Sequence, residues 1–393
     1  MSKKSVRDVD LAHRRVLMRA DFNVPLTADG AITDEKRILS ALPTIRFILE
    51  QGGRLILMSH LGRPKGQRRP EFSLAPVAAV LSRELEMRVP LVADALADAA
   101  LDATNSLADG AVLLLENVRF DARETKGDEA LSRALARLGD VFINDAFGTS
   151  HRAHCSVTGV AAFLPSAAGF LLQKEINVFE ELVSNPKRPL VAILGGAKVS
   201  DKILVIENLL DVADAILIGG GMSYTFCAAR GEATGASLVE EDRVETAARL
   251  LALADEKGVQ FLLPTDHVVA DRFAEDAATQ VVTQIPEGWL ALDIGPETRG
   301  AYAEIAGSAG CVVWNGPMGV FEMAPFAEGT RCVAEALGRS SAMSIIGGGD
   351  SAAAVKMMGL DGAMSHISTG GGASLELLEG RQLPGIEALD AEK

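Results

Sequence analysis

The run Leu190-Val191-Ala192-Ile193-Leu194 ends on Gly195-Gly196-Ala197-Lys198-Val199-Ser200-Asp201-Lys202. Five continuous apolar residues, with no polar alternation, predict a strand buried on both faces, as parallel sheets require. The glycines end it, and Ile203, Ile206 and Leu210 then recur at helical spacing. The same punctuation repeats along the chain. Earlier runs are Val16-Leu17-Met18, Leu55 to Met58, Val112 to Leu115 and Val141 to Ile143. Later ones are Ala215 to Ile218, Phe261 to Leu263, Leu292 to Ile294, Cys311 to Trp314, Met343 to Ile346 and His366 to Ser368. Helical stretches lie between them; Leu131, Ala134, Leu135 and Leu138 form one, closed by Gly139. Strand alternating with helix is the pattern of a doubly wound α/β architecture.

The 393 residues exceed one compact domain at roughly 150 residues each. Leu172, Ile176, Phe179 and Val183 fall on one helical stripe, and Asn185 and Pro186 stop it. We therefore expect a helix over 170–184 to bridge two domains. Their expected bounds are 1–172, with 375–393 returning to it, and 190–374, with 173–189 as helix and hinge. The alternative is a crossover helix within one large sheet. Composition is that of a soluble globular chain, 48% hydrophobic and 23% charged. No apolar run is long enough for a membrane span. The N-terminus lacks an apolar signal core. Four cysteines without a CxxC pair suit a reducing cytoplasm. The net charge of −15 argues against nucleic acid as a partner. It is unevenly spread: residues 1–184 carry 23 Lys and Arg against 24 Asp and Glu, and residues 185–393 carry 15 against 29.

Ligands of open α/β sheets bind beyond the carboxyl ends of strands, so the residues that follow each run carry the functional signal. In the first half these are Asp21-Phe22-Asn23, His60-Leu61-Gly62-Arg63, Arg119 and His151-Arg152-Ala153-His154, with Arg37 beyond the first strand. Guanidinium groups at corresponding places in successive units predict capture of phosphate or carboxylate; each alone reads equally well as a surface arginine. His151 and His154 lack a third ligand at zinc spacing, so a structural or phosphate-contacting role is expected. Lys65, Arg68 and Arg69 read as a solvated loop, and Asp94, Asp98 and Asp102 as a solvated face.

In the second half, Lys198 and Lys202 sit at a helix start, where cations oppose the helix dipole unless an anion is held there. Gly347-Gly348-Gly349-Asp350-Ser351-Ala352 meets the loose dinucleotide pattern GxGxxA. No ribose-binding acid follows at the usual distance, and Asp350 within the turn suits a magnesium-bound nucleotide better than NAD. Gly219-Gly220-Gly221 and Asp293-Ile294-Gly295 extend a glycine rim. Glu322 is a ribose acceptor by residue type, or equally a surface acid.

Together these segments resemble the phosphoglycerate kinase family. The resemblance is carried by Arg19 to Pro25, Ser59 to Gly66, Leu115 to Phe120, Gly148 to His154, Gly195 to Lys202, Gly219 to Phe226, Trp314 to Glu322, Gly347 to Ser351 and Ser368 to Gly380. Ser351, where the family often has Thr, and Ser150, where Ala is common, are its departures. The resemblance implies two Rossmann-like domains facing a cleft, and reversible phosphoryl transfer between MgATP and 3-phosphoglycerate, giving 1,3-bisphosphoglycerate and MgADP. It implies that Asp21, Phe22, Asn23, Arg37, His60, Leu61, Gly62, Arg63, Arg119 and Arg152 bind the triose phosphate. It also implies that Lys202, Gly348, Gly349, Asp350 and Ser351 hold the nucleotide phosphates, Glu322 the ribose, Asp350 the Mg2+, and Gly220, Gly221 and Gly295 the adenine. A monomer is implied as well. The residues agree on chemistry: no general base stands out, and an ionised carboxylate acceptor needs none. Arg37, Lys198 and Lys202 are the expected neutralisers of the transferring phosphoryl group. An NAD-dependent dehydrogenase and a catalytically silent anion binder are the competing readings.

Overall fold

The computed structural model describes residues 3–392. The chain divides into two compact units. The first runs to Asn177 and includes the segment from Gln382 onward; the second is Val178–Arg381. These divisions lie a few residues beyond the expected 172 and 374. On the second unit's side, the helix Gly372–Leu378 is tied to the helix Ile203–Leu209, where Asn208 Nδ2 donates to the Leu378 carbonyl at 2.8 Å.

The first unit is a six-stranded parallel sheet of β1 (Arg15–Arg19), β2 (Arg54–Met58), β3 (Leu91–Val92), β4 (Val112–Leu115), β5 (Val141–Asn144) and β6 (Ser166–Ala168). Its order is β3-β4-β2-β1-β5-β6. Val16 registers with Leu55 on one side and Val141 on the other. The chain winds outward from β1 in one direction and returns to β1's other side with β5. The β1/β5 boundary is therefore a topological switch point.

The second unit repeats the device with β7 (Leu190–Leu194), β8 (Ala215–Ile218), β9 (Gln260–Leu262), β13 (Cys311–Asn315), β14 (Met343–Gly347) and β15 (His366–Ile367). They are ordered β15-β14-β13-β7-β8-β9, all parallel, with the switch at β7/β13. Every residue of β7 and β13 is buried, which accounts for their unbroken apolar runs.

Between β9 and β13 the chain builds a separate antiparallel sheet from β10 (His267–Ala270), β11 (Thr279–Val282) and β12 (Leu290–Ile294), ordered β11-β10-β12. Leu292 to Ile294 thus belongs to an antiparallel sheet and not to the parallel one its apolar run suggests. The helix Phe170–Ser184 matches the expected span. Its buried stripe is Leu172, Ile176, Phe179 and Leu182, while Val183 is 53% exposed. No helix among the described residues is long and apolar enough to cross a membrane.

Candidate functional site

In the first unit the side chains beyond β1, β2 and β4 converge. Arg19, the last residue of β1, is fully buried, and its Nε donates to Ser156 Oγ at 2.9 Å. Its Nη2 lies 3.0 Å from His60 Nδ1. Burial, followed by the field of Arg19, drives the His60 imidazole well below its ordinary value. The ring is neutral, and with Arg19 donating to Nδ1 its proton is on Nε2. Beside it the Asp21 carboxylate is paired with Arg37. Burial raises the Asp21 carboxyl, but Arg37, with Arg19 and the Asn23 N–H behind it, outweighs that and leaves it below the ordinary range. Phe22 N–H donates to Ser59 Oγ at 2.8 Å, and Asn23 Oδ1 accepts from Gly62 N–H at 2.8 Å. These bonds lock the first two strand-end turns together. Asn117 Nδ2 donates to the Leu61 carbonyl at 2.7 Å and ties in the third.

Arg119 Nη1 donates to the Gly62 carbonyl. Burial, then Arg19 and Arg152, lowers its pKa to about 10. Arg63 and Arg152 are exposed. Beneath the cluster Glu124 is fully buried, accepting from Ser156 N–H at 3.0 Å and Ser156 Oγ at 2.5 Å. His154 is buried and held down to about 4, by burial and then by Arg119 and Arg19, so it too is neutral. The arrangement gathers Arg19, Arg37, Arg119 and Arg152 against two carboxylates, Asp21 and the buried Glu124, a surface that gains from a bound anion.

In the second unit the turns after β7, β13 and β14 enclose a cavity of about 500 Å³, lined by Gly195, Gly196, Lys198, Lys202, Asn315 and Gly348 to Ser351. Lys202 donates to Asn315 Oδ1. Burial lowers its ammonium to about 8, against the pull of Asp201, Asp350 and Glu379. Lys198 lines the same cavity from an exposed position. Gly348 has a φ of +88°, and a Cβ there would lie 3.1 Å from Asn315 Nδ2. The turn opens the helix Gly349–Met357 with Asp350 in its first turn, exposed at the cavity. Ser351 Oγ accepts from Gly316 N–H at 2.6 Å, which fixes the β13 turn to that helix.

Gly220, Gly221, Gly295 and Glu322 do not line this cavity. Gly220, with φ +67°, packs backbone to backbone against Gly196, where a Cβ would meet the Gly196 nitrogen at 2.6 Å. Gly221 packs on Ala197, where a Cβ would lie 2.9 Å from its carbonyl oxygen. At Gly295 a Cβ would overlap the Asp266 carboxylate. That carboxylate accepts from Glu297 and Thr298 N–H at the start of the helix Pro296–Ser308. Glu322 is exposed, beyond the β13 turn.

Asp201 and Asp350 are the carboxylates that line this cavity, and no group of three or more metal-ligating side chains occurs among the described residues. So few carboxylates fit a Mg2+ carried chiefly by a nucleotide's phosphates. Residue patterns alone missed Arg19, Glu124 and Asn315 as parts of the site. An arginine closing the apolar run Val16-Leu17-Met18 was the available signal for the first.

Two parallel α/β units, each with cationic side chains gathered beyond its strand ends, are the framework on which comparison with known proteins places a kinase. The phosphoglycerate kinase family matches over residues 6–381. The chain is 55% identical over 392 residues to the phosphoglycerate kinase of Herpetosiphon aurantiacus, covering 99% of this chain and 100% of that protein. It is 56% identical over 394 residues to that of a Roseiflexus species, covering 99% and 100%. The solved phosphoglycerate kinase of Coxiella burnetii superimposes with a TM-score of 0.91 at 43% identity, over 98% of each chain. The chain belongs to the phosphoglycerate kinase family.

Proposed function

We propose that the chain transfers a phosphoryl group reversibly between MgATP and the carboxylate of 3-phosphoglycerate, giving 1,3-bisphosphoglycerate and MgADP in glycolysis and gluconeogenesis. The observation that carries this is the second-unit cavity, where Lys202, Lys198 and the Gly348–Ser351 turn with its Asp350 carboxylate come together. In the first unit Arg37, Arg119, Arg63 and Arg152 take the phosphate and carboxylate of the triose, with His60 donating from Nε2. Asp21, Phe22, Asn23, Leu61 and Gly62 shape the turns on which it rests.

The acceptor is already ionised, so the neutral His60 and His154 need not act as bases. Catalysis is alignment and charge neutralisation by Arg37, Lys198 and Lys202. Asp350 would hold Mg2+, which when bound neutralises phosphate charge. Gly220, Gly221, Gly295 and Glu322 belong to the adenosine end. Because each ligand has its own unit, transfer requires a closing motion with its hinge at 173–189. We read the enzyme as a cytoplasmic monomer. The test is a coupled assay of ATP consumption with Mg2+; consumption that does not depend on added 3-phosphoglycerate overturns the proposal.

A further inference from the structure

We propose that Asp293, which contacts no ligand itself, is a positioning residue for the nucleoside half of the nucleotide; this rests on the reading above that the second unit takes ATP or ADP. Asp293 lies in β12 and is fully buried. Its Oδ1 accepts from Ile294 N–H at 2.9 Å. Its Oδ2 accepts from Gly329 N–H at 2.8 Å and pairs with Arg299 Nη2 at 3.4 Å. Gly329 is the second residue of the helix Glu328–Arg339, whose preceding residue, Ala327, gives no side-chain cap. Asp293 therefore caps that helix from a different sheet.

The capped turn carries the next link. Thr330 Oγ1 accepts from Met318 N–H at 3.0 Å, and the Met318 carbonyl accepts from Gly220 N–H at 2.9 Å. The loop after Met318 rests on the carboxylate directly: a Cβ on Gly319 would lie 2.5 Å from Asp293 Cγ. Val320 N–H then donates to the Leu292 carbonyl at 3.0 Å, and Glu322 follows two residues later. Gly220 and Glu322 thus hang on one buried carboxylate. The phosphate-side residues are tied to the residues of that turn before Met318: Lys202 donates to Asn315 Oδ1, Gly196 N–H to the Pro317 carbonyl at 3.1 Å, and Gly316 N–H to Ser351 Oγ at 2.6 Å.

Burial raises the Asp293 carboxyl to about 7, and the bonds from Gly329, Arg299 and Ile294 that oppose this fix the segment leading to Met318 and Val320. Replacing Asp293 with Asn turns one of its two acceptors into a donor facing a backbone N–H. Thr330→Val removes only the hook on Met318, and Thr330→Ser keeps it.

Titration calorimetry of the full chain with MgADP and with inorganic tripolyphosphate separates the two ends. Asp293→Asn and Thr330→Val are expected to weaken MgADP by about tenfold, leave tripolyphosphate within about twofold, and Thr330→Ser to restore MgADP. If Asp293→Asn does not fold, Thr330→Val and Thr330→Ser decide. Unchanged MgADP affinity in folded variants, or an equal loss of both ligands, overturns the inference. Wild-type chain that binds neither ligand overturns the nucleotide reading, and this inference with it.

Discussion

Arg119 Nη1 donates to the Gly62 carbonyl at 2.9 Å, while Arg119 Nε is buried without a hydrogen-bond partner among the described residues. One bond aims the guanidinium and leaves its other donors for a ligand. The neighbouring Arg19 and Arg152 charges, which help hold its pKa to about 10, are the reason an anion is welcome there.

Arg119→Lys keeps a charge but loses the planar fork. We expect kcat/KM for 3-phosphoglycerate to fall about 10- to 100-fold with the KM for ATP unchanged. Steady-state kinetics with each substrate varied in turn checks this, and an equal rise in both KM values would contradict it.

Lys202, lowered to about 8 before any phosphate arrives, must carry its proton to bind and to neutralise charge. As pH rises through about 8 the free enzyme loses that proton, so kcat/KM for ATP should fall on the alkaline side. A bound polyphosphate raises the pKa, so the same limb in kcat lies at higher pH. Lys202→Arg should abolish the limb because guanidinium stays charged. Lys202→Ala should cost about 10²- to 10³-fold in kcat.

Asp145 Oδ1 accepts from Leu171 and Leu172 N–H, at 2.9 and 3.1 Å, at the start of the helix Phe170–Ser184, and the Thr44 hydroxyl also bonds the carboxylate. Burial raises its carboxyl to about 6. With the folded value above the unfolded one, the native state binds more protons between about pH 4 and 6. Stability therefore declines as pH rises through that window, by up to about 3 kcal/mol. Asp145→Asn keeps the accepting oxygen and removes the charge. Urea melts should show no loss of stability at pH 8 and a flattened profile below pH 6.

Ser200 donates to Glu240 from both N–H, at 3.0 Å, and Oγ, at 2.6 Å. The loop between Lys198 and Lys202 is thereby pinned from outside the cavity. Glu240→Ala should lower kcat severalfold, about 3- to 10-fold, with a Tm close to that of the wild type. Unchanged kcat would show that the loop holds itself.

Much of this molecule is legible in its sequence because strands buried on both faces must be apolar throughout. Such runs as Leu190 to Leu194 and Cys311 to Trp314 announce themselves, and the turns that end them carry Lys202 and Gly348 to Ser351. The antiparallel sheet is not legible for the converse reason. Thr279–Val282 is largely exposed and lacks a long apolar run, and β6, Ser166–Ala168, has no bulky residue to mark it. Asp293 looks like one more strand-end acid until Gly319 and Gly329 are seen pressed against it. Such partners lie far away in sequence, and no local pattern encodes them. Val183 and Leu182 show the limit of periodicity, since one residue of drift along a helix decides which is covered.

The segment from Gln382 onward gives the first unit some of its last contacts. Gly385 N–H donates to the Ser150 carbonyl at 2.7 Å, Asn144 Nδ2 donates to the Gly385 carbonyl at 3.0 Å, and Lys4 N–H donates to the Asp390 carbonyl at 3.0 Å. Leu383 and Leu389 are buried with them. During synthesis the first unit emerges early but waits for these residues through the translation of the entire second unit. The second unit is continuous from Val178 to Arg381 and has all its parts before Gln382 is added. The unit made first is thus finished after the other, and Asn144 and Ser150, next to the arginine cluster, reach their final partners only once the second unit has been made.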